Sequence, residues 1–198
     1  MRAHLVVLLV ACLGPSVAWA DDAEPEITSH KGQFGLSARL ALGVRGIATY
    51  ENTIYCGKLD PMAENGFASV CTGRTPRSLD LEAAYGVADT AEPELELRIG
   101  NESDFGTTPS NDGPRPFHIA PGARFFFSEA KRTKLFVHPS IVLDFADYQR
   151  GNDIGLRGLE GFWIDLHRSY GLYFFVAETL EFKRWLSATF EGGIGFQG

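Results

Sequence analysis

Apolar side chains alternate with small or polar ones along six separate segments of this sequence. In residues 34–44 every even position is apolar, whereas the odd positions hold Gly, Ser, Arg and Ala. Successive side chains of a β-strand point to opposite faces, so this pattern predicts an extended strand with one apolar face. The same alternation recurs in the later segments 78–87, 94–100, 117–127, 135–145 and 186–197. The chain is therefore predicted to be all-β.

Two further segments show the pattern less clearly. Residues 171–178 are apolar on both faces, and residues 154–165 lose their phase around Gly158, Glu160 and Gly161. An extra residue in one strand shifts the alternation in this way, so we expect a β-bulge near these residues. The two segments bring the predicted number of strands to eight.

Two prolines interrupt otherwise regular segments. Pro121 and Pro139 lie inside residues 117–127 and 135–145, and each lacks the backbone N–H that a β-ladder uses. We therefore expect bulges or irregular pairing where these two strands meet.

The connections between the eight segments alternate in length. The longer or more polar connections are 51–76, 101–115, 146–153 and 179–184. The short turns between them are 89–93, 128–133 and 167–169. This alternation is typical of an antiparallel barrel whose two termini lie at the same end.

The composition of the polar face indicates which side of a barrel it occupies. A soluble barrel would turn a surface rich in Lys and Glu toward water, but this face holds mostly Gly, Ala and Ser with isolated charges of both signs. The apolar face carries no charge in five of the six clear segments, which suits hydrocarbon. We therefore predict an eight-stranded antiparallel up-and-down transmembrane β-barrel over residues 32–198. A soluble, exported lipocalin-like calyx that binds a small hydrophobic ligand is the alternative.

The first residues predict export. Arg2 precedes the apolar run Leu5–Leu13 and the small-residue site Ala18–Ala20, a pattern typical of a cleaved signal peptide, here residues 1–20. The stretch Leu9–Cys12 also resembles a lipoprotein cleavage box, and that alternative would attach a lipid to its cysteine.

The chain that follows the signal peptide is acidic. Residues 21–31 are predicted to form a flexible tail before the barrel. Loss of Arg2 takes the net charge from −7 to −8, and no basic patch is clustered in the sequence. A nucleic-acid partner is therefore not expected.

Cys56 and Cys71 remain as an even pair once the signal peptide is removed. In an oxidising, exported context such a pair predicts a disulfide, which would contribute roughly 3 kcal/mol by closing the loop between its ends. A metal site or reactive thiol pair is the alternative, but no histidine lies near either cysteine in the sequence. We predict no metal and no cofactor.

Charged residues on the polar face come in both signs on neighbouring segments. A buried charge without a partner is costly, so these side chains are expected to pair across the lumen. The predicted polar network is Arg39, Arg45, Asp80, Glu82, Glu96, Arg98, His118, Arg124, His138, Asp144, Asp165 and Glu191. A lumen filled in this way leaves no wide aqueous channel, so no general pore function is expected.

One pair of residues also fits a catalytic pattern. His138 and Ser140 lie two residues apart on one face of a predicted strand, with Asp144 or Glu160 as a candidate acidic partner. A Ser nucleophile needs an adjacent base and an orienting acid, and some membrane-embedded lipid A deacylases place His and Ser at this spacing. A lipid-modifying hydrolase is therefore an alternative. We interpret these residues as ordinary members of the lumen network and predict that the protein is not an enzyme.

Short motifs in the second half of the chain resemble those of a known family. They are Gly155–Gly158, Asp165–Leu166, Tyr170–Tyr173 and Glu191–Gln197. They are similar to the outer-membrane β-barrel domain proteins of myxobacteria and related bacteria. The resemblance implies an eight-stranded barrel in the bacterial outer membrane, with the lipid bilayer as its partner and no defined biochemical role. We expect a structural or surface-interaction role in which residues 51–76 and 101–115 face an extracellular partner.

Overall fold

The computed structural model describes residues 29–48, 70–102, 115–127, 132–145, 152–167, 170–183 and 185–198. Their strands are β1 (Phe34–Ala48), β2 (Val70–Arg74), β3 (Ser78–Tyr85), β4 (Ala91–Gly100), β5 (Phe117–Phe126), β6 (Thr133–Asp144), β7 (Asp153–His167), β8 (Tyr170–Glu181) and β9 (Leu186–Gln197). Among these residues, no helix is long and apolar enough to cross a membrane. The predicted signal peptide, Cys56 and most of the two predicted partner loops lie outside the described residues.

The strands form one closed antiparallel sheet. Strands β3 to β9 pair in sequence order, β1 pairs with β3, and β1 also pairs with β9 to close the ring. Strand β2 pairs with Val44–Ala48 of β1 and β3 pairs with Phe34–Leu40, so β2 and β3 occupy one strand position that is interrupted between them. The nine strands therefore build an eight-stranded barrel, as the alternation predicted.

The two ends of the barrel differ. Strand β1 begins and β9 ends at the same end, where Gly198 exchanges backbone hydrogen bonds with Leu36. We call this the terminal end. The opposite end, at which β1 and β4 end, is called the loop end. At the terminal end a short turn joins β3 to β4, and β8 begins three residues after β7 ends.

The predicted bulge in β7 is wrong in position. Pairing between β7 and β8 is regular through Gly158, Glu160 and Gly161, and the register shifts instead between Asp165 and His167. The apparent loss of phase arose because a glycine and a glutamate occupy outer positions that are apolar in most of the other strands. Both Gly158 and Glu160 therefore lie on the outside of the barrel.

The prolines lie at the seam between β5 and β6. Pairing there keeps a single register, with Ile119 opposite Leu143 and Gly122 opposite Ser140, but ladder pairs are missing beside Pro121 and Pro139. Both prolines point outward. The β5–β6 ladder therefore accommodates the two prolines by leaving out pairs beside them, and it contains no bulge.

The two faces of the sheet are sorted by polarity. On β1, Leu40 and Leu42 are 61% and 63% exposed, whereas Arg39, the residue before Leu40, is 1% exposed. The same order holds on β4, where Leu95 points outward and Glu96 is fully buried. Because the apolar rows line the exterior and the charged rows line the interior, this barrel is built for a hydrocarbon environment.

Candidate functional site

The lumen is the candidate functional site because it gathers most of the charged side chains of the strands. Among the described residues, nine acidic and six basic side chains are buried, together with three histidines. All twelve residues predicted for the polar network point inward; eleven are buried, and Asp165 is half-buried at the terminal end. A charge removed from water is stable only when it is paired and hydrogen-bonded, so the pairing pattern decides what this lumen can do.

Asp80 and Glu191 organise the half of the lumen nearer the loop end. Arg98 donates to Asp80 from Nε and Nη2 at 2.6 and 2.7 Å, and to Glu191 from Nη1 and Nη2 at 3.0 and 2.9 Å. Arg157 Nη2 donates to Glu191 at 3.0 Å, and Arg39 Nε donates to Asp80 at 3.0 Å. These five side chains come from five different strands, so the ion pairs brace the barrel across its width.

Arg124 organises the half nearer the terminal end. Its Nη2 lies 2.7 Å from Glu94 Oε1 and donates to Glu82 Oε2 at 3.1 Å. The guanidinium carbon is also 5.0 Å from the ring centres of Trp163 and Tyr173. Arg124 is thus held by carboxylates on one side and aromatic faces on the other, an arrangement that suits a planar cation.

Bulky aromatic rings fill the space that the charges leave. The rings of Trp163 and Tyr173 stack 5.3 Å apart, and Tyr173 Oη donates to Glu82 at 2.8 Å. A Cβ atom at Gly195 would lie 2.1 Å from the Tyr173 ring, and one at Gly171 would lie 2.5 Å from the Trp163 ring. The two glycines therefore make room for these two rings.

His30, which was predicted to belong to a flexible tail over residues 21–31, instead packs into the terminal end. His30 Nδ1 lies 2.5 Å from Glu92 Oε1, and Nε2 lies 3.3 Å from Asp165 Oδ1. Its ring packs edge-on against Phe126 at 4.9 Å. Burial disfavours the charged imidazolium, but hydrogen bonds with Asp165 and Glu92 outweigh it and raise the pKa of His30 above its ordinary value.

Several buried charged residues were missing from the predicted network. They are Glu92, Glu94, Lys134, Asp153, Arg157 and Glu181. Most lie an even number of residues from a neighbour that was included, and therefore on the same face of the strand, as Glu94 does with Glu96. Arg157 was missed because a loss of phase was expected in β7. The alternation could not predict the burial of His30, because this residue precedes β1.

Three of the lumen residues have the composition of a metal site. Glu82, Glu94 and His138 each offer a ligand atom, and these atoms lie within 4.8 Å of one another. Arg124 already contacts both carboxylates, so a guanidinium supplies the positive charge that a metal ion would bring. Both carboxylates of the cluster are therefore already paired with a cation, and the imidazole of His138 lies beside one of them.

The candidate hydrolase residues are enclosed in the lumen. His138 is fully buried and Ser140 is 6% exposed, so neither reaches the lipid-facing surface. The acid beside the imidazole is Glu94, whose Oε2 lies 3.1 Å from Nδ1. Glu160, one of the two acids considered, points to the opposite face of the sheet, so its assignment as the acidic partner is wrong.

The predicted disulfide has one described half. Cys71 is buried beside Ile47 and Trp185 in a small apolar cluster near the loop end. Its predicted partner, Cys56, lies outside the described residues. The pairing of these two cysteines stays a prediction.

Two small cavities lie in the lumen. One, of about 30 Å³, lies at the terminal end beside His30, and the other, of about 50 Å³, lies at the loop end beside Arg45. Each has room for a few water molecules. Between them Arg39, Glu96 and Arg124 are at most 1% exposed, so the described lumen is filled by side chains.

No protein-family model and no curated protein sequence matches this chain. Among solved structures, the chain is similar to Neisserial surface protein A, with 13% identity over 82% of this chain and 95% of the other and a TM-score of 0.49. It is also similar to Ail, the attachment invasion locus protein of Yersinia pestis, with 10% identity over 85% of this chain and 99% of the other and a TM-score of 0.48. A third similar structure is the outer membrane protein OprG from Pseudomonas aeruginosa, with 11% identity over 86% of this chain and 99% of the other and a TM-score of 0.44.

These are distant likenesses in overall architecture, and the membrane assignment rests on the two faces of the barrel itself. An apolar exterior surrounds a lumen of paired charges and stacked rings. A closed sheet leaves no unpaired strand edge in the bilayer, which is what a membrane requires of β-structure. The protein is a membrane-spanning β-barrel with a filled lumen.

Proposed function

We propose that the protein is a bacterial outer-membrane barrel with a structural or surface-interaction role, and that its lumen is neither a pore nor a catalytic site. The carrying observation is the layer of Arg39, Glu96 and Arg124, which is at most 1% exposed and lies between the two small cavities. A barrel of about eight strands has an interior just wide enough for side chains. The rigid part of the molecule is then a scaffold that presents its loops.

The position of the long connections supports a role at the loop end. In outer-membrane barrels the longer loops face the cell exterior and the short turns face the periplasm. Residues 51–76 and 101–115 would then form the extracellular surface of this protein. Arg74 and Glu102 form an ion pair at the base of this surface and thereby link the two connections.

Two alternative functions lack support from the geometry. A calyx for a hydrophobic ligand needs an apolar cavity, but most Leu and Phe side chains of the described strands face outward, and the inward Phe126, Phe136 and Phe175 pack together in the core. A lipid-modifying hydrolase needs its nucleophile to meet lipid, but Ser140 is buried inside the lumen.

Electrical recording in planar bilayers tests the filled lumen. We expect the refolded protein to produce no large, stable conductance steps. The refolded sample must first show the compact, heat-modifiable gel migration of a folded barrel. Stable steps from such a sample would contradict the proposal.

Labelling of intact cells tests the surface role. A peptide epitope inserted within residues 101–115 should be bound by antibody on unbroken cells. The same epitope inserted in the 128–133 turn should be bound only after the envelope is opened. The reverse result would contradict the proposed orientation.

A further inference from the structure

Two carboxylates break the apolar exterior of the barrel. Glu160 on β7 and Glu178 on β8 both point outward and are exposed. Glu160 is the central residue of the 15-residue strand β7, and Glu178 is followed by the outward apolar residues Leu180 and Phe182. Both glutamates therefore lie within the band that faces hydrocarbon.

The two side chains are neighbours on one patch of the surface. Glu178 pairs with Gly158, and Glu160 pairs with Val176, so the carboxylates are diagonal neighbours across the β7–β8 ladder. Among the described residues, neither has a hydrogen bond or an ion pair. An ionisable side chain inside a membrane is costly, and it commonly marks a functional contact.

The surface around the two glutamates is recessed. No atom of the described residues lies within 4 Å of where a Cβ would stand at Gly158. A groove of about 610 Å³ runs past Glu178, Gly158 and Leu156, and a second groove of about 480 Å³ runs past Glu160 and Phe162. Small residues at a membrane-embedded surface allow close approach of another backbone. We treat the two grooves and their glutamates as one surface and call this surface the β7–β8 groove.

We propose that the β7–β8 groove docks a membrane-spanning segment of a partner protein that carries a lysine or arginine side chain. Charge complementarity selects this occupant, because two unpaired carboxylates at membrane depth need a cation that reaches them there. A lipid headgroup lies at the bilayer surface, whereas Glu160 lies at the middle of its strand. An elongated segment can fill both grooves at once.

A second copy of this chain does not supply the complementary charge. On the outer face of the described strands, Arg74 is the one arginine or lysine, and it ends β2 near the loop end, where Glu102 binds it. Two copies that met through the β7–β8 groove would bring carboxylates together. Like charges at a contact oppose association.

Binding of a designed peptide tests the proposal. The probe is a synthetic apolar peptide of about 20 residues with one central lysine, and the matched control is the same peptide with leucine at that position. The protein is refolded into phosphatidylcholine vesicles at neutral pH, and association is measured by energy transfer between labelled barrel and labelled peptide. We expect the lysine peptide to bind the unchanged barrel roughly tenfold more tightly than a Glu160→Gln/Glu178→Gln barrel. We expect the leucine peptide to bind the two barrels equally weakly.

Three results would overturn the proposal. The first is equal binding of the lysine peptide to both barrels, with Glu102→Gln as the control for a carboxylate outside the groove. The second is energy transfer between two labelled copies of the barrel that depends on both glutamates, which would assign the face to self-association. The third concerns the urea midpoint of unfolding of Glu160→Leu. A docking carboxylate without its partner should destabilise the barrel, so we expect its removal to raise that midpoint. A lower midpoint for Glu160→Leu would contradict the proposal.

Discussion

At the residue scale, each buried cation of the central lumen is held by more than one carboxylate. Arg98 makes four hydrogen bonds to Asp80 and Glu191, and Arg39 contacts Asp80, Glu82 and Glu96. Because each cation serves several acids, loss of one cation removes counter-charge from several buried carboxylates at once. The energetic consequence is therefore larger than that of a single surface ion pair.

Replacement of Arg98 by Met should destabilise the barrel strongly. Removal of one partner leaves Asp80 and Glu191 short of a buried counter-charge, so we expect the free energy of unfolding to fall by about 3–5 kcal/mol. Equilibrium unfolding by urea in lipid vesicles measures this change. The control is Arg77→Met, whose side chain is 67% exposed and which should change stability by about 0–1 kcal/mol. Equal effects of the two substitutions would contradict the central role of the network.

His30 should make the terminal end sensitive to pH. The pKa of His30 is raised in the folded protein, so its contribution to stability is fully present below the pKa of the unfolded chain and is lost as the pH rises through the folded pKa. We expect the stability difference between the unchanged protein and His30→Gln to shrink as the pH rises from the ordinary imidazole value of about 6.5 toward the alkaline range. Urea unfolding of both proteins across this range measures it. A difference that grows with pH would contradict the assignment.

The alternation predicted the inward direction of the network residues, but it could not predict their partners. Asp80 and Glu191 are far apart in the sequence and meet through Arg98 only because the barrel closes. The pairing of Arg124 with Glu94 likewise depends on the register of β4 against β5. Local patterns fix the face of a residue, whereas register and closure are properties of the whole sheet.

At the element scale, glycine positions decide where the lumen accepts large rings. The last strand places Gly195 against Tyr173, and Gly171 of β8 lies against Trp163. The high glycine content of the sequence, 22 of 198 residues, is therefore partly explained by packing inside the barrel.

Alanine at Gly195 and alanine at Gly158 should have opposite effects. A Cβ at Gly195 would overlap the Tyr173 ring, so we expect a loss of about 1–3 kcal/mol from overpacking. Gly158 has open space around its Cβ position, so alanine there should be neutral or stabilise the strand by about 0.5–1 kcal/mol. The two urea midpoints report both changes. A destabilised Gly158→Ala with an unaffected Gly195→Ala would show that the inward and outward faces of these strands are reversed.

The strand β7 shows where sequence reasoning about an element fails. The outer positions of most strands are apolar, so Gly158 and Glu160 were interpreted as a change of phase. The pairing shows instead that the strand keeps its phase and that the exterior itself is unusual there. A pattern that assumes a uniform lipid-facing surface cannot distinguish a bulge from a specialised patch.

At the scale of the whole molecule, the barrel combines a sealed interior with two kinds of exterior. Most of its circumference is apolar, and the β7–β8 groove carries the two outward glutamates. The eight-strand count and the antiparallel order followed from the alternation and the connection lengths. The separate strand β2 was not predicted, because residues 70–74 lie within a connection that was assigned to a loop.

The central claim is that the apolar rows face lipid and the polar rows face a closed lumen. Nitroxide labels placed one at a time, in a chain with Cys56 and Cys71 replaced by Ser, test it through collisions with oxygen dissolved in the bilayer. Labels at Leu40, Leu95, Leu135 and Ile194 should collide frequently with oxygen, and a label at the buried Ser187 should be shielded from it. Shielding at the four apolar positions, with frequent collisions at position 187, would contradict the account.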